Sequence, residues 1–289
     1  METRYGFFKQ LREKIEVIAV GAANGTAVRL ITWPLEKSFY DAALKGQQSS
    51  YRHIYRHNFQ PQVLFQLTQS FFKTGFWQTV LKSAANIGVI NYIDHYHFDL
   101  TANEKSVYAT ALCTPWETLF TCRGEYYKVK DFSKMQNPLA PQVIPYGVLT
   151  REFSRVISAT FVRVLWSSLV TFGGIYKTTE LFQQLFPQSS SHSFIKPAAA
   201  LVASFALQPA IMPIINYQTY VLNDPRKSLY VITKEFIREQ PFSDLVRGSL
   251  GRGIHRGAYY SLTFFIAEKI KSIKEDAKEL PFETALKKR

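Results

Sequence analysis

Uncharged stretches alternate with short charged clusters along this chain, and their lengths indicate helices. The longest stretch, residues 197–223, runs for 27 positions without a charged side chain. About 20 predominantly apolar residues suffice to cross a bilayer core as a helix, so this stretch is long enough to span a membrane. Shorter uncharged stretches cover residues 17–28, 164–176 and 257–267. We expect a helix over each of them.

Two interpretations of the shorter stretches compete. Apolar runs of about 11 to 13 residues are usually buried helices of a soluble protein. Alternatively, they belong to membrane helices whose polar face lines a water-filled cavity, which lets single charges lie at membrane depth. The mean hydropathy of −0.10 does not separate the two, because an average hides individual segments. An internal repeat favours the second interpretation.

The repeat is marked by a proline that is followed two residues later by a glutamate. Pro34 and Glu36 form the first copy, and Pro115 and Glu117 form the second, 81 residues further on (115 − 34). A reduced third copy keeps Pro209 but has lost the acid. A proline inside a helix removes one backbone hydrogen bond and kinks the helix. We therefore predict a helix kink at each of the three prolines.

The same offsets relate positions further along the chain. A shift of 81 residues places Lys82 on Arg163, and a shift of 92 residues places Arg163 on His255. In the first and third units a glycine, Gly75 or Gly248, lies seven residues before the basic residue. Each unit is predicted to be a kinked helix, a polar connector and a second helix that carries a base. Repeated helix pairs are typical of transporters, and a soluble solenoid would not need the long uncharged stretch.

These motifs resemble those of the mitochondrial carrier family over essentially the whole chain. That family repeats Pro-x-Asp/Glu-x-x-Lys/Arg, and the first two copies here match its first half, with Phe39 and Phe120 in place of the base. Residues 238–248 are similar to the family's acidic-glycine, aromatic and Arg-Gly run. Gly21 and Gly25 are similar to its close-packing GxxxG pattern, which alone is weak evidence.

The resemblance implies an all-α membrane protein with six tilted transmembrane helices around a central cavity. Its three pseudo-symmetric repeats would cover residues 1–105, 106–196 and 197–271, followed by a polar tail over 272–289. It also implies a monomer in the mitochondrial inner membrane that exchanges solutes by alternating access and binds anionic lipid such as cardiolipin.

The resemblance places the solute contacts on the second helix of each unit. The matching positions are Lys82, the pair Arg163 and Val164, and His255 with its neighbour Arg256. Helix periodicity adds residues four positions further on, and Arg29 lies five residues before the first kink. The full candidate set is Arg29, Lys82, Asn86, Arg163, Val164, His255, Arg256 and Tyr259. Taken singly, each base is as readily explained by a charged side chain that reaches the membrane surface, and His255 by simple packing.

The charge balance indicates the class of solute. The net charge is +13, which favours a polyanionic partner. Several converging bases suit a nucleoside di- or triphosphate, because Arg and Lys make charge-assisted hydrogen bonds with phosphate oxygens. We therefore expect a nucleotide of the ATP/ADP type. Arg163 resembles the corresponding residue of carboxylate carriers instead, so a dicarboxylate or keto-acid solute stays open.

The acids of the repeats are candidate gate residues. Glu36 and Glu117 lack the usual base three positions later, and Lys37 or Arg123 are candidate substitutes. At the opposite end only the third unit keeps an acid and a base, Glu268 and Lys271; the first two units have His95 with Phe98 and Tyr176 with Thr179. Gates that lack these partners predict a carrier that closes loosely. Alternatively, they predict a carrier-like scaffold of the outer mitochondrial membrane that no longer transports.

Other function classes are less well supported by the sequence. We find no nucleophile–base set, no metal-ligand spacing, no glycine loop for phosphate and no nucleic-acid docking motif, so neither an enzyme nor a cofactor or nucleic-acid binder is expected. Cys113 and Cys122 match no redox motif and are expected to be reduced. The N-terminus shows no secretory signal. Four acids in residues 275–283 suggest a second hypothesis, a C-terminal export signal of a bacterial effector that mimics a host carrier.

Overall fold

The computed structural model describes residues 2–45, 51–97, 99–136, 151–187, 192–239, 245–246 and 248–286. The regular elements within these ranges are all helical. In chain order they are α1 (Glu2–Lys45), α2 (Tyr51–Asn58), α3 (Pro61–Ser70), a π-helical turn (Phe71–Gly75), α4 (Phe76–Tyr96), α5 (Ala102–Gln136), α6 (Arg151–Leu185), α7 (His192–Ala206), α8 (Gln208–Asn223), α9 (Leu229–Glu239) and α10 (Ser249–Leu286). The expected all-α class is therefore found in the described part of the chain.

The long helices contact one another in a closed ring. Helix α1 packs on α4, α4 on α5, α5 on α6, α6 on α7, α7 on α10, and α10 on α1. Helices α7 and α8 together supply one member of this ring, because α8 also contacts both α6 and α10. A ring of this kind leaves a space along its axis, and side chains from every member point towards it.

The three kink prolines lie in different local settings. Pro34 and Pro115 lie inside the continuous helices α1 and α5. Pro209 is instead the second residue of α8, and the chain bends by 58° between α7 and α8 at Leu207. The helix expected over residues 197–223 is therefore divided into two at a sharp break, which lies next to Pro209, where a kink was predicted.

The ring narrows at the end beyond the prolines. Helices α1, α5 and α8 contact one another there in addition to their neighbours in the ring. Buried apolar side chains from these segments pack with α3 and the π-helical turn into one cluster, which we call the lower apolar layer: Trp33, Tyr40, Leu67, Phe71, Tyr126, Val129, Phe132, Val156 and Leu222. This layer closes one end of the axial space.

The middle of helix α6 buries several polar side chains and exposes several large apolar ones. The buried polar residues are Thr160, Arg163, Ser167, Ser168 and Thr171. The exposed apolar residues are Phe161, Val162, Leu165, Trp166 and Leu169. A helix of a soluble bundle has the opposite arrangement. The outer face of α6 therefore needs an apolar medium or partner to cover it.

Helix α5 repeats this arrangement next to α6. Its buried polar residues include Ser106, Thr110, Thr114, Glu117, Thr118, Thr121, Glu125 and Lys128. Its exposed apolar residues include Val107, Tyr108, Leu112, Trp116 and Leu119. Two adjacent members of the ring thus present apolar surface outward and polar groups inward.

The mean hydropathy of each helix depends on both its outward apolar face and its inward polar face. One helix segment, Glu152–Leu185, is long and apolar enough by itself to cross a membrane, and the bent pair Phe194–Ala206 and Gln208–Asn223 meets the same test when taken together. Inward-facing charges, such as those of α5, lower the average of a helix whose outer face is apolar. Of the six expected spans, the described residues show one by this test, or two if the bent pair is one span.

The predicted repeat boundaries do not coincide with helix ends. The boundary between residues 105 and 106 lies inside α5, and the boundary between 196 and 197 lies inside α7. The predicted tail over residues 272–289 is not separate from the last helix, since α10 continues to Leu286.

Candidate functional site

A cavity with about 510 Å³ of space that no atom occupies lies on the axis of the ring. Six of the eight predicted contact residues line it together: Arg29, Lys82, Arg163, His255, Arg256 and Tyr259. They come from α1, α4, α6 and α10, which shows that the repeat alignment identified positions that face one common space. His255 is further fixed by a hydrogen bond between its Nδ1 and the hydroxyl of Thr32 on α1.

The other two predicted contacts lie elsewhere. Val164 is fully buried and Asn86 is nearly so, but neither lines the cavity. Val164 follows Arg163, and a step of one residue on a helix turns the side chain by about 100° to a different face. Asn86 lies one turn beyond Lys82, above the part of α4 that borders the cavity. These two residues contribute to packing around the site.

Glu36 is held by two bases that the sequence analysis did not pair with it. Arg29 donates from Nε and Nη2 to the two carboxylate oxygens at 3.1 and 3.0 Å, and Lys128 of α5 donates at 2.9 Å. The expected substitutes are placed differently: Lys37 pairs with Asp41 at 2.6 Å, and Arg123 is exposed. The expectation of an acid with at most partial pairing is therefore wrong for Glu36.

Glu125 of α5 joins the same network. Its carboxylate oxygens lie 2.6 Å from Lys128 Nζ and 3.4 Å from Arg29 Nη2. The hydroxyl of Tyr40 and the amide of Gln78 each donate to it at 2.7 Å. Two buried acids and two buried bases of α1 and α5 thus form one network, to which α4 contributes the amide of Gln78. A buried network of this kind is stable only when each charge keeps its partners.

The network lies directly on the lower apolar layer. The ammonium of Lys128 is 4.7 Å from the ring centroid of Tyr40, and Trp33 packs edge-on against Phe71 and Phe132 at 5.2 and 5.6 Å. The cavity is therefore closed at this end first by ion pairs and then by aromatic rings.

Glu117, the acid of the second repeat, lies in a different environment from Glu36. Its carboxylate contacts the ammonium of Lys82 on α4 and lies 3.6 Å from Nη1 of Arg163 on α6. Both bases line the cavity, whereas Glu117 holds them from behind the wall. This acid therefore belongs to the cation site itself, and not to the lower end of the ring as expected from the repeat.

Cations exceed anions around the cavity. Arg29, Lys82, Lys128, Arg163, Arg252 and Arg256 supply six positive charges, and Glu36, Glu117 and Glu125 supply three negative charges, which leaves +3 (6 − 3) apart from His255. Nε and Nη2 of Arg163 and Nε of Arg252 are buried without a hydrogen-bond partner within the described residues. Unsatisfied buried guanidinium groups indicate a place for an anion.

The other end of the cavity is closed by a second apolar cluster and one ion pair. The cluster includes Ile93 of α4, Phe172 of α6 and Phe264 of α10. Asp94 of α4 pairs with Lys196 of α7 across the mouth of the ring, and the Lys196 ammonium lies 4.7 Å above the ring of Phe264. The ring therefore carries ion pairs and apolar clusters at both ends.

The predicted gate residues at this end are placed around that pair. Glu268 is partly exposed, and the side chain of Lys271 lies outside the described residues. Tyr176 is buried in the second apolar cluster, and the hydroxyl of Thr179 donates to the carbonyl of Ile175 within its own helix at 2.7 Å. The side chains of His95 and Phe98 lie outside the described part. Asp94 and Lys196 were not predicted as a pair.

The most informative residues that sequence reasoning missed are Glu125, Lys128 and Arg252. Glu117, Thr121, Glu125 and Lys128 follow one another at steps of four, four and three residues, which is one face of a helix. That polar stripe continues for three turns beyond Pro115 and is the signal that would have identified both α5 residues. Arg252 lies one turn before Arg256 and would have been found in the same way.

Searches against protein-family models and against curated proteins gave no match for this chain. Cys113 and Cys122 are both free and buried. Among the described residues, no group of His, Cys, Asp and Glu side chains is arranged to hold a metal ion. The chemistry of the cavity therefore rests on its arginine, lysine and glutamate side chains.

Proposed function

We propose that this protein is a membrane transporter that exchanges an anionic solute, most simply a nucleotide of the ATP/ADP type, by alternating access. The observation that carries the proposal is a ring of helices whose outward surface is apolar and whose axial cavity carries an excess of three positive charges. Lipid tails are as apolar as such an outward surface and can cover it. Charged side chains of membrane proteins usually face a water-filled cavity or the interior of the helix bundle.

Ion pairs at both ends of the ring support transport in preference to a fixed receptor. The lower end carries the ion pairs of Glu36 and Glu125, and the other end carries the pair Asp94–Lys196. These pairs involve different residues and lie on opposite sides of the cavity, and alternating access requires that each end can open while the other stays shut.

The charge of the cavity favours a nucleotide. A nucleoside di- or triphosphate brings several negative charges, which match the excess of +3. Arginine forks bind phosphate oxygens in pairs, and Arg163 has two buried nitrogen atoms free to do so.

A dicarboxylate or keto acid is the second candidate solute, and one observation favours it. Glu117 already neutralises much of the charge of Lys82, so the cations with no close acid partner among the described residues are Arg252 and Arg256, beside Arg163, which lies 3.6 Å from Glu117. Guanidinium groups grouped in this way also suit two carboxylates. The choice of the mitochondrial inner membrane as the location, and of cardiolipin-type lipid around the ring, rests on the family resemblance alone.

The proposal is tested with purified protein in liposomes. We expect preloaded vesicles to take up labelled ADP, and Lys82→Ala and Arg163→Ala each to abolish that uptake. Lys177→Ala removes an exposed base from the same helix as Arg163, away from the cavity, and is expected to leave uptake unchanged. Uptake of malate or 2-oxoglutarate in place of ADP would support the second candidate. Absence of uptake for nucleotides, phosphate and dicarboxylates alike would refute a transporter.

A further inference from the structure

The carboxylate of Glu117 holds two cations of the cavity wall that an anionic solute would also contact. It contacts Lys82 on one neighbouring helix and lies 3.6 Å from Arg163 on the other, and its side chain is only 4% exposed. Helices α4, α5 and α6 are consecutive in the ring, so one carboxylate ties three of its members together. Because the two bases form part of the cavity wall, any anion in the cavity meets the same cations from the opposite side.

Arg163 is not satisfied by this contact. The separation of 3.6 Å from Glu117 is too long for a good hydrogen bond, and Nε and Nη2 of the same guanidinium have no partner within the described residues. Buried donors without acceptors cost free energy, and charged donors cost the most. Nε and Nη2 of Arg163 are thus available to a second anion that is better placed than Glu117.

The other two cavity acids are fixed much more firmly. Glu36 accepts three hydrogen bonds from Arg29 and Lys128, and Glu125 is surrounded by Lys128, Arg29, Tyr40 and Gln78. Glu117 has the single close contact with Lys82. It is therefore the acid that an incoming solute displaces at the lowest cost.

The surroundings of Glu117 also provide for its release. The buried hydroxyl groups of Thr114, one turn before it, and Thr121, one turn after it, have no hydrogen-bond partner within the described residues. Residues three and four positions apart lie on the same face of a helix, so both hydroxyls are within reach of a carboxylate that turns away from Lys82. After its release, the Glu117 carboxylate would thus lose its contact with Lys82 and accept hydrogen bonds from two hydroxyl groups of its own helix.

We propose that Glu117 is an internal counter-anion, which occupies the Lys82–Arg163 site when the cavity is empty and is displaced when an anionic solute binds. Glu117 lies two residues after Pro115, where α5 already lacks one backbone hydrogen bond. Its displacement would separate the kinked part of α5 from α4 and α6, which links solute binding to opening of the ring. This inference rests on the proposed anion transport, because it assumes that a solute enters the cavity.

The competition predicts an increase of affinity when the competitor is removed. Purified full-length protein with Glu117→Gln is expected to bind ADP, or malate if the solute is a dicarboxylate, about tenfold more tightly than wild type by titration calorimetry, because a negative charge next to the bound anion has gone. Glu117→Asp keeps the charge on a side chain that is one methylene shorter and is expected to give an intermediate affinity. If Glu117 merely positioned the two bases, both variants would bind more weakly.

Asp131→Asn is the matched control. It removes one carboxylate from the same helix, outside the cavity, and leaves binding unchanged if the effect depends on position and not on net charge. Because Lys82 loses its partner, Glu117→Gln is expected to melt at a lower temperature than wild type without ligand and to gain more from added ADP or malate. This ligand-induced shift in melting temperature gives a second readout when the yield of the variant is too low for calorimetry.

The outcomes separate this inference from the proposed function. Weaker or equal binding by Glu117→Gln, with uptake by wild type intact, overturns the counter-anion and leaves the transporter standing. Tighter binding by the variant, with no uptake by wild type, supports the counter-anion and refutes transport. Absence of ADP, malate and phosphate binding by both proteins overturns both, because no anion then competes for the site.

Discussion

Lys128 is the buried cation on which closure of the lower end depends, and Lys128→Met tests this directly. Its side chain is fully buried, and its ammonium lies 2.9 Å from Glu36 and 2.6 Å from Glu125. Methionine has nearly the same length and no charge, so it fills the space but leaves both acids with one cation fewer. We expect the variant to be strongly destabilised.

The size of the effect follows from the burial of the network. Removing one partner from a buried ion pair costs about 3–5 kcal/mol, because the remaining charge stays buried without full compensation. Unfolding entropy is about 2.1 cal/mol/K per residue, which gives about 0.6 kcal/mol/K for a chain of 289 residues. The melting temperature should therefore fall by about 5–8 °C. Lys128→Met combined with Glu125→Gln should lose less than the sum of the two single changes, since the acid left unpaired is also removed.

The assay is thermal unfolding of the purified protein in detergent, followed by tryptophan fluorescence. Lys227→Met is the matched control, since Lys227 pairs with Glu235 at 2.9 Å but its side chain is 43% exposed. An exposed ion pair contributes at most about 1 kcal/mol, so this control should shift the melting temperature by less than about 2 °C. Equal shifts for Lys128→Met and Lys227→Met would refute the closure described here, because the lysine would then not be part of a buried network.

Three further predictions concern the cavity, the outer surface and the packing. Arg252→Gln is expected to weaken binding of ADP at least about tenfold by calorimetry, because it removes a buried guanidinium whose Nε has no hydrogen-bond partner among the described residues. In single-tryptophan variants, brominated lipid should quench Trp116, which is 55% exposed on the apolar face, and spare Trp33, which is 1% exposed; equal quenching would contradict the membrane orientation. Gly25→Ala places a methyl group 2.3 Å from a serine hydroxyl of α4 and should lower the melting temperature by about 2–5 °C, whereas Gly88→Ala meets nothing closer than 3.6 Å and should not.

The repeat pattern located much of the cavity because it records positions that are equivalent in space. Lys82, Arg163 and His255 were selected by the repeat alignment and the family resemblance, and all three line one cavity. Their neighbours were predicted less well. Val164 follows Arg163 in the sequence but turns to another face of α6, because residues next to each other on a helix do not share a face.

The partners of the acids were not predictable from the repeat. Lys37 or Arg123 was expected to substitute for the missing base, but Glu36 pairs with Arg29 of its own helix and with Lys128, which lies 92 residues away on α5. The pair with Lys128 is formed only when the ring closes and brings α1 and α5 together beyond their prolines. The break at Leu207 lies two residues before the predicted kink at Pro209, but the uncharged stretch continues through it and does not indicate a bend as sharp as 58°.

The two intact copies of the proline–acid motif have diverged in what their acids do. Glu36 is enclosed by Arg29 and Lys128 and rests on the lower apolar layer, so it belongs to a closure that must break before that end opens. Glu117, in the equivalent position 81 residues later, contacts Lys82 beside Arg163 in the wall of the cavity. In the proposed transporter, one acid therefore contributes to the barrier between conformations and the other to the charge that a solute encounters. A single substitution cannot exchange these roles, because Glu36 depends on Arg29 of its own helix and Lys128 of α5, whereas Glu117 depends on bases of α4 and α6. The sequence symmetry of the repeats thus supports a symmetric ring, while the chemistry of its cavity is asymmetric.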